Sequence, residues 1–373
     1  MNKIIYLDNA ATSFPKPRCV IREVRKCITE YCGNPGRSSH SLALRSSEKI
    51  YEARENIARL LNYDHPENII FTMNATHGLN IAIKGIINSK MHAIISDLEH
   101  NSVIRPLKRV LNQYGGEISV YNSDMSLNES IKPLIKEDTG ALISTLSSNV
   151  TGKAIAPYIL SEISLNYNLP LIIDASQYTG HLPLDLSKCH FDALVSPGHK
   201  ALFGLQGSGF IIINSKRLQN TIIEGGSGFD TLNADMPLLL PERYEAGTPA
   251  TPAIVGLSRG IEYILDYGID NIKLKINELT SRTEDILSDF KSIRIFGASN
   301  GIVSFLVEGQ PSSVTSGMLS NLGIATRSGL HCAPLIHRKL GTIETGLVRI
   351  SFSIFNTKRE IDKLYKSLKE ITK

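Results

Sequence analysis

Ala193-Leu194-Val195-Ser196-Pro197-Gly198-His199-Lys200 is the stretch that decides the fold. Three compact apolar residues end abruptly in Ser-Pro-Gly, and a lysine follows. A short apolar run closed by turn residues reads as a strand buried on both faces of a mostly parallel sheet. Similar runs occur at 68–71, 93–96, 141–146, 171–173 and 210–213, most of them followed by polar residues or glycine. Between them the apolar spacing turns helical. Ile50, Ala53, Ile57, Leu60 and Leu61 share one face, and Asn62 is placed to end that helix. The spacing also predicts a helix over 76–87, with Leu79, Ile83, Ile86 and Ile87 inward. Strands alternating with helices predict an α/β fold.

Beyond Thr251 the texture changes. A helix over 253–267, a polar helix over 271–291, strands near 302–307 and a last helix are expected. The last helix opens on a capping box, Thr357 to Glu360, and carries Ile361, Leu364, Tyr365, Leu368 and Ile371 on one face. The expected organisation is a large domain over 15–250 and a smaller α+β domain made of 1–14 and 251–373. No internal repeat or low-complexity stretch is present.

Composition narrows the function classes. The 373 residues are 42% hydrophobic and 20% charged, as in a soluble globular protein, and the net charge of +4 is small for the length. That balance gives no reason to expect nucleic acid or a membrane surface as partner. No apolar run approaches the roughly 18–20 residues that span a bilayer. The start, Met1 to Phe14, does not read as a signal peptide, which makes the cytosol the default compartment. The five cysteines, Cys19, Cys27, Cys32, Cys189 and Cys332, show no paired spacing, so neither a disulfide framework nor a zinc ribbon is expected. His331, Cys332 and His337 lack the second ligand pair of a structural zinc site.

Ligands of open α/β sheets sit at the carboxyl ends of the strands. Asp174 and Gln177 follow the run at 171–173, His199 and Lys200 follow the run at 193–195, and Asn74-Ala75-Thr76 opens a helix after the run at 68–71. A helix N-terminus with a small hydroxyl residue is a ready phosphate site. A carboxylate can hold a proton on a pyridinium nitrogen, and a lysine can form an imine. Lysine, carboxylate and phosphate anchor together are what pyridoxal 5'-phosphate (PLP) requires.

Five segments carry a family resemblance. They are Tyr6-Leu7-Asp8-Asn9-Ala10-Ala11-Thr12, Asp174-Ala175-Ser176-Gln177, Gly198-His199-Lys200, Glu245-Ala246-Gly247-Thr248-Pro249 and Arg327-Ser328-Gly329-Leu330-His331-Cys332. In this order, over nearly the whole chain, the set resembles the class V aminotransferase superfamily, and within it the cysteine desulfurases and selenocysteine lyases. The resemblance implies the PLP-dependent transferase fold of type I. It makes Lys200 the imine-forming residue, Asp174 the partner of the pyridine nitrogen and Gln177 a hydrogen-bond donor to the phenolic oxygen. His100 would stack on the cofactor ring and help in proton transfer. Ala75 (through its N–H), Thr76 and His199 match phosphate positions. Thr248 matches a phosphate contact given by the neighbouring subunit, which implies a homodimer. Asn149 matches a cofactor- or substrate-side residue, and Arg349 the clamp on the substrate carboxylate, a task suited to its bidentate fork. His40 matches an active-site histidine of one branch, and Arg327 is assigned to the substrate side.

Cys332 decides the reaction that the resemblance implies. A cysteine in this position takes sulfur from L-cysteine as a persulfide, and alanine leaves. The thiolate is the reactive form, and Arg327 and His331 are expected to favour it. The other four cysteines lack a basic, loop-like setting. A selenocysteine lyase acting on L-selenocysteine uses the same site. A class V aminotransferase in which Cys332 is a bystander, and a non-catalytic scaffold with this fold, are the remaining alternatives.

The chain departs from the family in three places. Pro197 stands three residues before the lysine, where Ser or Thr usually helps to hold the phosphate. Ser196 is one step off, and proline has no donor, so weaker PLP retention is expected. The loop after the lysine starts Gly204-Leu205 where Gly-Pro is usual. The cysteine loop is short, ending at once in Ala333-Pro334, and 225–241 is shorter than the hook-like insertion of the short-loop desulfurases. A short loop cannot carry a persulfide far, so a sulfur-acceptor protein or a reductant must come to it.

Overall fold

Both faces of the central sheet are apolar, and this is why its strands read as unbroken hydrophobic runs. The computed structural model describes residues 4–36 and 39–372, so residues 1–3 of the N-terminal segment assigned above lie outside it. The strands, in chain order, are β1 (Ile5–Tyr6), β2 (Ile69–Thr72), β3 (His92–Ser96), β4 (Glu117–Tyr121), β5 (Thr139–Thr145), β6 (Leu171–Asp174), β7 (Ala193–Pro197), β8 (Gly209–Ile213), β9 (Ile293–Ser299), β10 (Ile302–Val307), β11 (Ile324–Ala325), β12 (Arg327–Gly329) and β13 (Leu347–Ser351). Seven form the main sheet in the order β2-β8-β7-β6-β5-β3-β4. β8 runs against both of its neighbours, and the other pairings are parallel.

Successive side chains alternate between two cores, as the two-residue period of a strand demands. Leu171, Ile173, Leu194, Phe210 and Ile212 enter one core, while Ile172, Ala193, Val195, Ile211 and Ile213 enter the other. The first core packs against the helices Ser41–Leu61 and Thr251–Tyr267. The second packs against Ala75–Ile86 and Asn101–Tyr114. Gly78 brings the first of these last two helices close to β7, since a Cβ there would lie 2.7 Å from Val195 Cγ1. That approach sets the N-terminus of the helix beside the segment that carries Lys200.

A second sheet, β12-β13-β10-β9, is antiparallel and has a core of its own, with Val303, Phe305, Val348 and Ile350 against Leu279, Ile361, Leu364 and Leu368. The helix Lys358–Ile371 begins with the expected capping box. β1 pairs in parallel with β11, and the chain then runs past β13, where Asn9 Nδ2 donates to Ser351 O (3.0 Å) and Ala10 N to Ser351 Oγ (2.8 Å). It continues to the lysine segment, where Ser13 N donates to His199 O (3.1 Å). The N-terminal segment therefore ties the two sheets together. Among the described residues no helix is long and apolar enough to cross a membrane.

Several boundaries differ from the sequence reading. The polar helix spans Ile269–Ser288, and its expected last residues up to Lys291 lie beyond it. The helix ending at Leu61 starts already at Ser41, because the His40 side chain caps it. The strand β4 and the helix Asn101–Tyr114 were not expected. β4 is an edge strand of which only Tyr121 is buried, so it lacks a compact apolar run.

Candidate active site

The carboxyl ends of five parallel strands open into one cavity of about 220 Å³. β2 leads to Asn74, Ala75 and Thr76; β3 to His100 and Ser102; β5 to Ser147 and Asn149; β6 ends on Asp174 and leads to Gln177; β7 leads to His199 and Lys200. The second sheet closes the cavity with Arg327 from β12 and Arg349 from β13. Of the thirteen residues singled out in the sequence, ten line this space: Ala75, Thr76, His100, Asn149, Asp174, Gln177, His199, Lys200, Arg327 and Arg349. Cys332, His40 and Thr248 do not.

Charge in the cavity is unbalanced. Lys200 Nζ makes no hydrogen bond or ion pair among the described residues. Its pKa is lowered to about 8, first by burial and then by Arg349 and Arg327, against the pull of Asp174. Asp174 accepts Ser176 N on one oxygen (2.9 Å) and leaves the other without a hydrogen bond. Arg327 and Arg349 are direct cross-strand partners. Like charges so placed repel each other, and among the described residues only Arg349 has a counter-ion, Asp8 at 2.7 Å. Arg349 is 1% exposed; it also donates to Asn149 O (3.0 Å), and its Nε has no partner. Two buried or half-buried guanidiniums with one carboxylate between them form a place for an anion.

The helix Ala75–Ile86 supplies a second such place. Asn74 caps it by accepting His77 N (3.0 Å), and the amides of its first turn have no partner within the helix. Thr76 Oγ1 lies 2.8 Å from Ser102 Oγ. His199 borders the same cavity, its pKa lowered to about 4 by burial and then by Lys200 and Lys16, and its Nδ1 has no partner. His100 caps the helix Asn101–Tyr114, its Nδ1 accepting Ser102 N (3.0 Å). Its pKa is lowered to about 4, mainly by burial and then by Lys200. His100 is therefore neutral near pH 7, with the ring proton on Nε2.

Cys332 is exposed and stands on the loop after β12. His331 and Cys332 both adopt left-handed backbone conformations, with φ of 49° and 57°. Asn149 Nδ2 holds His331 O (2.7 Å), and Asn101 N holds Cys332 O (2.7 Å). The expected help from His331 is corrected: burial, and then Arg349, hold its pKa far below the usual imidazole range, so its ring is neutral and gives Cys332 no positive charge. His40 lies on the surface as a helix cap, its Nδ1 accepting Ala43 N (3.3 Å). Thr248 is exposed in the loop before the helix Thr251–Tyr267, outside the cavity of its own chain.

The sequence reading missed Asp8 and Ser102. Asp8 was inside a quoted motif but had no role until Arg349 was placed beside it. Ser102 is two residues beyond His100, at the start of a helix that was not expected.

These residues fit PLP on the structure's own terms. A lysine without a partner among the described residues, a carboxylate with an unbonded oxygen, two arginines and a helix N-terminus share one cavity. The fold and this set define the fold type I class of PLP-dependent enzymes. The family profile described as Aminotransferase class-V matches residues 5–364, and the chain belongs to that family. A probable cysteine desulfurase of Methanothermobacter thermautotrophicus is 30% identical over 98% of this chain and 94% of its own length. Another from Pyrococcus abyssi is 31% identical over 100% of this chain and 95% of its own. The apo structure of a cysteine desulfurase from Thermococcus onnurineus NA1 superposes with a TM-score of 0.90 at 27% identity, covering 99% of this chain and 94% of the other.

Proposed function

We propose that this chain is a PLP-dependent cysteine desulfurase that converts L-cysteine to L-alanine, with the sulfur passing to Cys332. The observation that carries the reading is the single cavity in which Lys200, Asp174, His100 and the arginine pair meet beside the loop that bears the cysteine. Lys200 would hold the cofactor, Asp174 its ring nitrogen, Gln177 its phenolic oxygen, and Ala75, Thr76 and His199 its phosphate. When bound, PLP supplies an electron sink for the carbon next to the amino group.

The chain's own residues do the rest. Arg349, with Arg327 beside it, binds the carboxylate of the amino acid. Neutral His100 presents Nε2–H toward the cavity, with Nδ1 tied to the helix, so a single ring position exchanges protons. Lys200, with a pKa of about 8, can take up or release a proton near neutral pH. The Cys332 thiolate forms an S–S bond to the substrate sulfur as the substrate's C–S bond breaks. Alanine leaves, and the persulfide remains on Cys332. An acceptor thiol, or a reductant supplying two electrons, then removes the outer sulfur.

A homodimer is part of the same reading. Thr248 lies outside its own cavity and is free to reach that of a partner copy. Gly247 N bonds Gly226 O (2.9 Å), linking its loop to a segment with exposed Phe229, Leu232, Leu238 and Leu239.

The test is an assay of protein reconstituted with PLP, on L-cysteine and L-selenocysteine in parallel, measuring alanine together with sulfide or selenide. Cysteine turnover lost in Cys332→Ala supports the persulfide step, and full cysteine turnover in that variant rules it out. Turnover of selenocysteine alone would make the chain a selenocysteine lyase, and a keto acid without sulfide would make it an aminotransferase.

A further inference from the structure

We propose that Ser102 is an additional anchor for the cofactor's phosphate and takes over the hydrogen bond that Pro197 cannot give. The inference rests on the PLP reading above and concerns the class of ligand that this end of the cavity takes, a phosphate monoester dianion.

Pro197 borders the cavity and has no donor. Ser196, the neighbouring hydroxyl, does not replace it. Ser196 is 1% exposed and its Oγ lies 2.5 Å from Thr179 Oγ1, turned into the core. Ser102 lines the same cavity, and its Oγ is 2.8 Å from Thr76 Oγ1. It stands in the first turn of the helix capped by His100, so a second helix N-terminus faces the one at Ala75.

The Ser102 hydroxyl is free to turn. Its Oγ is 2.9 Å from His100 Nδ1, but that nitrogen already accepts the Ser102 backbone N–H. A neutral imidazole nitrogen has one lone pair, so the hydroxyl proton is available elsewhere. Without a ligand, one of the Thr76 and Ser102 hydroxyls donates to the other. Beside a dianion both can donate outward, and bonds to a charged acceptor are the stronger ones. Ser102 thus joins the phosphate end of the cavity to the histidine at its reacting end.

The test compares two ligands on apoprotein. Wild type, Ser102→Ala and Ser102→Thr are titrated with PLP and with pyridoxal, which lacks the phosphate, following the visible absorption. Thermal melts of the apoproteins show that each variant is folded. Losing one bond to a charged group weakens PLP binding about tenfold or more. Ser102→Ala should show that loss for PLP only, and Ser102→Thr should keep the affinity. Equal weakening for both ligands would mean that Ser102 acts through His100 or the fold, and the proposal falls. Unchanged PLP affinity in Ser102→Ala overturns it as well. A wild-type protein that binds no PLP removes the cofactor reading itself, an outcome distinct from an intact site indifferent to Ser102.

Discussion

Lys200 should capture an aldehyde far faster at neutral pH than a surface lysine does. Only the neutral amine attacks a carbonyl. With a pKa of about 8, lowered from 10.5 by burial and the two arginines, roughly one Lys200 in ten is neutral at pH 7, against about one in 3,000 for an ordinary lysine. The reactive fraction is thus raised about 300-fold. Rapid mixing of apoprotein with excess PLP, followed by its visible band, should give a rate that climbs about tenfold per pH unit below pH 7 and levels off near 8. Running pyridoxal in parallel removes the phosphate's own titration, and borohydride trapping with peptide mapping assigns the signal to Lys200. Arg327 has no ion pair among the described residues, so Arg327→Met should disturb the fold little while moving the bend upward by removing a nearby cation. Asp174→Asn should move the bend downward, because the carboxylate is what holds the proton on Lys200. A bend near 10 in the wild type, or a downward shift in Arg327→Met, would refute the electrostatic account of this lysine.

Two further outcomes follow from buried charge. Arg54 forms a forked pair with Glu245 (3.0 and 2.8 Å), and Glu245 also accepts Phe71 N (2.6 Å). Arg54→Ala strands the carboxylate in the interior and should cost about 3–5 kcal/mol, read as a lowered denaturant midpoint. Acid should destabilise the apoprotein through buried histidines: His100, His181 and His199 have folded-state pKa values near 4, chiefly because burial disfavours the imidazolium. Glu99, raised to about 8 by burial, takes up its proton in the folded state first and offsets about one of the three. For the histidines, with the folded value below the unfolded one of 6.5, the unfolded chain takes up protons first as pH falls. The histidines' contribution is then full above about pH 6.5 and declines toward pH 4, and with three of them against one glutamate the net slope keeps their sign. Denaturant midpoints across that window test the sign, and His181→Phe, at a site outside the cavity, should flatten the slope by about one proton.

What was legible in the sequence followed from local rules. Strands buried on both faces leave compact apolar runs, so β3, β5, β6, β7 and β8 could be seen. β4 lies at the sheet edge with Ile118 and Val120 partly in solvent, and no such run marks it. The capping box at Thr357 and the stop at Asn62 were visible because a cap is a contact within a few residues. Lys200, Asp174 and Thr76 stood out for the same reason, each closing an apolar run. Asp8 and Ser102 had no such mark. Asp8 meets Arg349 across 341 residues and Ser102 meets Thr76 across 26, through chain paths that only the assembled sheets fix. Whether the Cys332 thiol faces inward or outward depends on two backbone dihedrals, about which a Leu-His-Cys string says nothing.

Those dihedrals bear on how sulfur would leave. Holding His331 and Cys332 in the left-handed region costs of order 1 kcal/mol or more each, so something must keep them there. The holding groups are Asn149 Nδ2, which stands in the cavity wall, and Asn101 N, next in the chain to His100. The loop is thus fixed by the same elements that shape the cavity, and it is short. Its carbonyls point inward to these donors while the thiol side is exposed. A loop pinned in this way cannot swing a bound sulfur outward over any distance. In the desulfurase reading the arrangement serves another purpose: the thiol is exposed to a visiting acceptor, while His331, the residue before it, lines the cavity through which the substrate sulfur would come. Substituting Asn149 by Ala should therefore free the loop, slow the first transfer more than the second, and let less persulfide accumulate on Cys332, which mass spectrometry of the cysteine-treated protein would measure. Persulfide that accumulates undiminished in Asn149→Ala would show that the pinning is incidental to sulfur transfer.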